Sequence, residues 1–79
     1  MARDHYAEAR NLAAKLAERG YGSWSQRLTE VIAAGATGTE IVMGLRWTLA
    51  QLLETEAALP AGLREEATDL HGALDRLLR

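Results

Sequence analysis

The longest amphipathic stretch of the chain lies between Thr37 and Leu59, and its pattern predicts one long helix. When residues are projected at about 100° each, the large aliphatic side chains fall on one side of this helix. The start fits a capping box, because Thr37 is followed by Glu40 three residues later. Pro60 biases Leu59 away from helical dihedrals, so the helix is expected to end near residue 58. The aliphatic side is formed by Ile41, Leu45, Leu49, Leu52 and Leu59, with Val42 and Leu53 at its edge.

Apolar side chains also recur on the opposite side of this predicted helix, where Met43, Trp47 and Ala50 lie beside charged residues. A helix that is apolar on two sides either packs on both or leaves one side open to a partner. Trp, Tyr and Arg carry much of the binding energy at protein interfaces. The alternative is that Trp47 belongs to the core, beneath the first or second helix. The candidate partner-binding residues are Met43, Arg46, Trp47, Tyr21, Glu40 and Glu54.

Three further helices are predicted, at about residues 4–19, 23–34 and 61–78, in addition to the long one at 38–58. Asp4 is the expected cap of the first helix, and Gly20 suits the left-handed residue that ends many helices. Ser23-Trp24-Ser25-Gln26 matches a second capping box, and Trp24 falls on the inward stripe of its helix. Residues 60–62 form a tight corner before the last helix, whose first residue is Ala61 or, alternatively, Pro60.

The fold class that follows is all-α: a compact four-helix domain of residues 1–79, organised around the third helix. Gly44, Thr48 and Thr55 form a strip of small groups beside the aliphatic side of the third helix, where another helix can approach closely. The last helix carries a leucine seam at alternating spacings of three and four. This seam is predicted to dock on the long helix, and the alternative is a homodimer zipper. The zipper would use Leu63, Leu70, Leu74 and Leu77.

Composition limits the ways in which so small a domain is stabilised. The chain has 79 residues, a formal charge of −2 and no Cys, so that disulfides are excluded. Because small cores are marginal, we expect stabilisation by dimerisation or by a bound partner, with monomer and homodimer both open. No apolar run reaches the roughly 20 residues of a membrane span, and the N-terminus lacks a secretory pattern. A cytoplasmic protein without membrane contact is therefore expected.

Residues that carry chemistry are few and are spaced unfavourably. His5 and His71 are far apart in sequence, and nothing brings carboxylates to both, so no metal ligands are predicted. Glu54 with Glu56, and Glu65 with Glu66, are neighbours that do not face each other on a helix. Neither a phosphate-binding loop nor a nucleophile with its base is present in the sequence. We expect no catalytic residues, no cofactor and no enzymatic activity.

Residues 24–54 also have the helix, short turn, helix pattern of DNA-binding regulators. A recognition helix needs base-reading donors and cations near its start. Thr37 and Thr39 are available there, but Glu40 opposes phosphate and Arg46 is the only cation before Pro60. Nucleic-acid binding is therefore the alternative to a protein partner.

The run from Gly38 to Trp47, GTEIVMGLRW, resembles a stretch found in small bacterial proteins, and this likeness implies no function. In size and character, the whole chain resembles the small inhibitors carried by phages and mobile elements, including anti-CRISPR proteins and toxin-immunity partners. The resemblance implies a non-enzymatic module that occludes a larger bacterial protein or complex. A small DNA-binding regulator and a structural homodimer are the other hypotheses.

Overall fold

The computed structural model describes residues 3–79 as four α-helices, which confirms the all-α four-helix fold. The first two residues of the predicted 1–79 domain lie outside the described part. In chain order the helices are α1 (His5–Glu18), α2 (Gly22–Ala34), α3 (Gly38–Thr55) and α4 (Ala61–Leu77). None of these helices is both long enough and apolar enough to cross a bilayer, in the part of the chain described.

The helices form a ring in which each packs chiefly on two neighbours. α1 packs on α2 and α4, and α3 packs on the same two helices from the other side. The predicted central position of α3 is therefore corrected: α3 is the longest helix, but it forms one corner of the ring. The core between the four helices is built mainly from fully buried leucines, because each helix contributes an aliphatic stripe. They are Leu12, Leu16, Leu28, Leu45, Leu49, Leu52, Leu70 and Leu74.

Two of the predicted helix starts are confirmed by their hydrogen bonds. The Asp4 carboxylate accepts from the Ala7 N–H at 3.0 Å, and the Thr37 hydroxyl accepts from the Glu40 N–H at 3.2 Å. The Glu40 carboxylate completes the second cap by accepting from the Ala36 N–H at 3.3 Å. These bonds satisfy amide groups that lack partners within the helix, and they fix where α1 and α3 begin.

The start of α2 differs from the prediction. The helix begins at Gly22, one residue before Ser23, and its cap residue Tyr21 makes no side-chain capping bond. Gln26, the predicted reciprocal partner of the cap, donates to Glu30 at 2.9 Å instead. Gly20 has a φ of +91°, the left-handed conformation expected of it, and it turns the chain sharply from α1 into α2. The chain therefore enters α2 directly after Tyr21, without a side-chain cap.

The end of α3 also differs, because the helix stops at Thr55 rather than near residue 58. Arg64 of α4 donates to the Leu53 carbonyl at 3.3 Å and to the Glu56 carbonyl at 2.6 Å. The Leu53 carbonyl, which the Ala57 N–H would engage in a longer helix, is thus bound from α4, whereas the Glu56 carbonyl has no helical donor because residue 60 is Pro. The early stop lets Leu59 reach the core from the connecting loop. α4 begins at Ala61, as the predicted range 61–78 has it, and Pro60 is its cap.

The leucine seam of α4 faces the chain's own core along most of its length. Leu63, Leu70 and Leu74 are buried within the domain, so these side chains cannot reach a second copy in this fold. Their placement agrees with the predicted docking of the seam inside the domain, not with the homodimer zipper. Leu77 is 54% exposed and is the one residue of the predicted zipper that lies at the surface.

Candidate functional site

The close approach of α2 and α3 positions the candidate site. A Cβ atom added to Gly44 would lie 2.7 Å from Cγ1 of Val31 on α2, so the small-residue strip receives a neighbouring helix as predicted. The two helices run antiparallel. Gly35, just after the end of α2, lies beside Ile41 near the start of α3, and Arg27, earlier in α2, lies over Trp47, later in α3. This packing places the Trp47 ring beside Arg27 of α2.

The side of α3 that faces away from the core carries an exposed apolar centre. Trp47 is 57% exposed and Met43 is 51% exposed. Glu40 and Glu54, also exposed, lie seven residues before and after Trp47, and two turns of helix bring them to the same side. We call this surface the outer face; it consists of Glu40, Met43, Trp47, Ala50, Gln51 and Glu54.

Arg27 joins the outer face from α2, and the sequence analysis did not identify it as a site residue. Its guanidinium carbon lies 4.5 Å from the ring centroid of Trp24 and 5.7 Å from that of Trp47. Both distances are within the range of cation–π attraction, which restrains the exposed indole. The spacing of Trp24 and Arg27 on one helix face indicates their contact. The approach of Trp47 depends on the packing of α2 against α3, which the sequence did not reveal.

Trp24 supports this arrangement from beneath, and its predicted place in the core is confirmed. Only 7% of the residue is exposed, and its indole N–H donates to the Glu56 carboxylate at 2.9 Å. Because Glu56 follows α3 directly, this bond ties the start of α2 to the end of α3. The ring on which Arg27 rests is therefore fixed by contacts from two helices.

Arg46 was predicted to belong to the same face, but its side chain is directed to α4. It donates to Asp75 at 2.8 Å, and Arg79 donates to the second carboxylate oxygen of Asp75 at 2.9 Å. These two hydrogen bonds lower the pKa of the Asp75 carboxyl, and the bond from Arg46 has the larger effect. Arg46 therefore belongs to the α3–α4 contact and is separated from Trp47 by its angular position on the helix.

Tyr21 is placed at the α1–α2 corner, half-buried against the core. It is the cap residue of α2, and it is only partly exposed at the surface. Of the six predicted partner-binding residues, the structure thus brings Glu40, Met43, Trp47 and Glu54 together. Arg46 and Tyr21 lie elsewhere.

A second concave region is found where α1 begins. A pocket of about 480 Å³ is lined there by Arg3, Asp4, His5, Tyr6, Val42 and Leu77. Arg3 of this pocket already forms intramolecular hydrogen bonds, because it donates to Glu8 and to Asp69 at 2.6–2.8 Å. The hydrogen bond from Arg3 also lowers the pKa of Glu8. Over residues 3–79, no three His, Asp or Glu side chains cluster closely enough to hold a metal ion.

No protein-family model, no curated protein and no solved structure matches this chain.

Proposed function

We propose that the protein is a non-enzymatic protein-binding module that docks onto a partner through the outer face of α3. The observation that carries this proposal is the 57% exposure of Trp47, in a domain whose core is otherwise closed around buried leucines. Among the large hydrophobic side chains of residues 3–79, only Met43, Trp47 and Leu77 are exposed. Two of these three are neighbours on one helix face, which makes a continuous apolar centre.

The energetics of binding favour such a centre. Trp and Arg are enriched among the residues that dominate interface energies. Arg27 and Trp47 restrain one another through cation–π attraction, so less side-chain entropy is lost when a partner covers them. The exposed acids Glu40 and Glu54 form a polar rim around the apolar centre, as is common at interfaces.

Apart from Glu54, the carboxylates on α3 and on the segments next to it have structural partners, which supports binding rather than catalysis as the role of this surface. Glu40 accepts from the Ala36 N–H, Glu56 accepts from the Trp24 indole, and Asp75 is shared by two arginines. We infer an inhibitor that occludes a working surface of a larger bacterial protein in the cytoplasm. A defence system, as for anti-CRISPR proteins, and a toxin, as for immunity proteins, are the two partner classes in this proposal.

Affinity capture from host cells tests the proposal, with Trp47→Ala as the test variant and Leu77→Ala as its control. Leu77 is a match because it is 54% exposed, compared with 57% for Trp47, but lies on α4. Loss of one interface anchor costs about 2 kcal/mol or more, so Trp47→Ala should retain less than about a tenth of the captured partner. Leu77→Ala should retain nearly all of it.

A functional readout separates inhibition from simple binding. Stoichiometric addition of the wild-type chain should abolish the activity of the captured partner, while Trp47→Ala should leave that activity intact. Equal capture by wild type and Trp47→Ala would refute the outer face as the docking surface. Capture without loss of the partner's activity would refute the inhibitor.

A further inference from the structure

The outer face has an ordered pattern of charge along the α3 axis. Glu40 and Glu54 stand at its two ends, 14 residues apart in sequence, which is about 21 Å along a helix. Arg27 stands midway, because its guanidinium lies over the ring of Trp47, 5.7 Å from the centroid. Along the α3 axis, the outer face is therefore acidic at one end, apolar with one cation in the middle, and acidic at the other end.

These three charges are not neutralised by ion pairs among residues 3–79. Glu40 accepts only from a backbone N–H, and Glu54 has no salt bridge in the described part of the chain. Arg46, the cation nearest to them in sequence, is held by Asp75 on the side toward α4. Arg27 lies over two indole rings, which attract a cation without cancelling its charge. A partner that carries opposite charges at these three positions therefore gains electrostatic complementarity with the outer face.

A second copy of the chain does not supply them. In a two-fold dimer the same patch is used on both subunits. Antiparallel pairing centred on Trp47 places Glu40 against Glu54 of the other copy and Arg27 against Arg27. Parallel pairing places each acid against its own equivalent. Both arrangements bring like charges together, which destabilises an interface. An antiparallel pairing centred near Met43 sets Glu40 against Arg27 of the other copy, but it leaves Glu54 without an opposite charge, so no two-fold pairing matches all three charges.

On the basis of the proposed function, we infer that the outer face takes a basic-flanked amphipathic helix of a protein partner. This helix carries an apolar seam against Met43 and Trp47, with cations at both ends of that seam. The cations are about 14 residues, or four turns, apart, to match Glu40 and Glu54. A carboxylate midway between them faces Arg27. A helix laid against a helix face is a common recognition mode, in which apolar anchors give affinity and flanking charges give register.

A displayed library of 18-residue helical peptides tests this inference. Each peptide has a constant leucine seam and random Lys, Glu or Gln at the two end positions and at the middle position. Peptides are selected on the wild-type protein after depletion on Trp47→Ala. We expect enriched peptides with Lys at both ends and Glu in the middle, bound at least about tenfold more weakly by Trp47→Ala.

Charge variants of the protein provide the matched controls. Glu40→Gln/Glu54→Gln should weaken binding of the enriched peptides about three- to tenfold at low salt, with a smaller loss at high salt. Gln at position 40 still offers a side-chain oxygen to the Ala36 N–H, so the helix cap is preserved. Glu65→Gln, an exposed acid on α4, should leave binding unchanged.

The outcomes separate this inference from the proposed function. Enriched peptides without a preference for Lys at their ends, or equal binding by Glu40→Gln/Glu54→Gln, would overturn the charge pattern while leaving the docking surface standing. No enrichment over the Trp47→Ala depletion would overturn both.

Discussion

Substitution of Gly44 by alanine tests the helix contact on which the outer face depends. Alanine is about 1 kcal/mol more favourable than glycine inside a helix, so propensity alone predicts stabilisation. The added Cβ, however, would lie 2.7 Å from Cγ1 of Val31, well inside the 3.5–4.0 Å of an ordinary carbon contact. Valine is stiff at χ1 and cannot turn away freely. Overpacking of this kind costs about 1–3 kcal/mol, which leaves a net destabilisation of about 0–2 kcal/mol.

Gly72→Ala is the matched control, because Gly72 lies inside α4 as Gly44 lies inside α3. The nearest atom to its added Cβ is Nη1 of Arg76 at 3.6 Å, an ordinary contact with a flexible side chain. Gly72→Ala should therefore stabilise the domain by about 1 kcal/mol. In the Val31→Ala background, where both γ-methyl groups are absent, Gly44→Ala should become stabilising by a similar amount.

Urea unfolding followed by circular dichroism measures the stability of wild type, Gly44→Ala, Gly72→Ala, Val31→Ala and the double variant, with thermal melts as a second measurement. A change of 1 kcal/mol corresponds to about 4–8 °C in Tm for a domain of this size. If Gly44→Ala stabilises the wild-type domain as much as Gly72→Ala does, α2 and α3 do not approach as described. The cation–π contact of Arg27 with Trp47, which requires this approach of the two helices, would then not form.

Substitutions at Trp47, Glu56 and Asp75 test three separate contacts. Trp47→Ala should cost about 1 kcal/mol or less in urea unfolding, whereas Leu49→Ala, fully buried, should cost about 2–5 kcal/mol; similar losses would place Trp47 in the core. Glu56→Ala should lower stability by about 1–3 kcal/mol because the Trp24 indole N–H loses its acceptor, while Glu56→Gln keeps an oxygen there and should recover most of the loss. The pKa of Asp75 is lower in the folded state than in the unfolded chain. Its contribution to stability is therefore present above the unfolded pKa and is lost as the pH falls through the folded pKa. Asp75→Asn should make the free energy of unfolding less dependent on pH in the acid range, and an unchanged acid transition would contradict the Arg46–Asp75–Arg79 cluster.

The elements of this fold follow closely from local patterns in the sequence. Aliphatic side chains at helical spacing predicted four helices, and Asp4, Gly20 and Thr37 act at their ends as expected. Such features depend on residues within one turn of each other. The close approach at Gly44 was also visible, because a strip of small groups marks where a second helix can lie.

Contacts between distant residues account for what the sequence did not reveal. At the end of α3, Arg64 of α4, eight or more residues away, binds the Leu53 and Glu56 carbonyl groups. Arg46 is held on the side of α3 toward α4 by its hydrogen bond to Asp75, 29 residues away. Arg27 joins that face only after α2 packs against α3. In each case a long charged side chain finds its partner through the tertiary fold, which spacing along one helix does not encode.

The fluorescence of Trp47 tests the central claim most directly, because that claim requires a free indole on a folded monomer. Its spectrum is the difference between wild type and Trp47→Phe, recorded over a dilution series with increasing acrylamide. We predict red-shifted emission that is readily quenched at every protein concentration, alongside the shielded emission of Trp24. Blue-shifted emission of Trp47 that resists acrylamide would contradict the account, because the indole would then be covered by the protein itself or by a second copy.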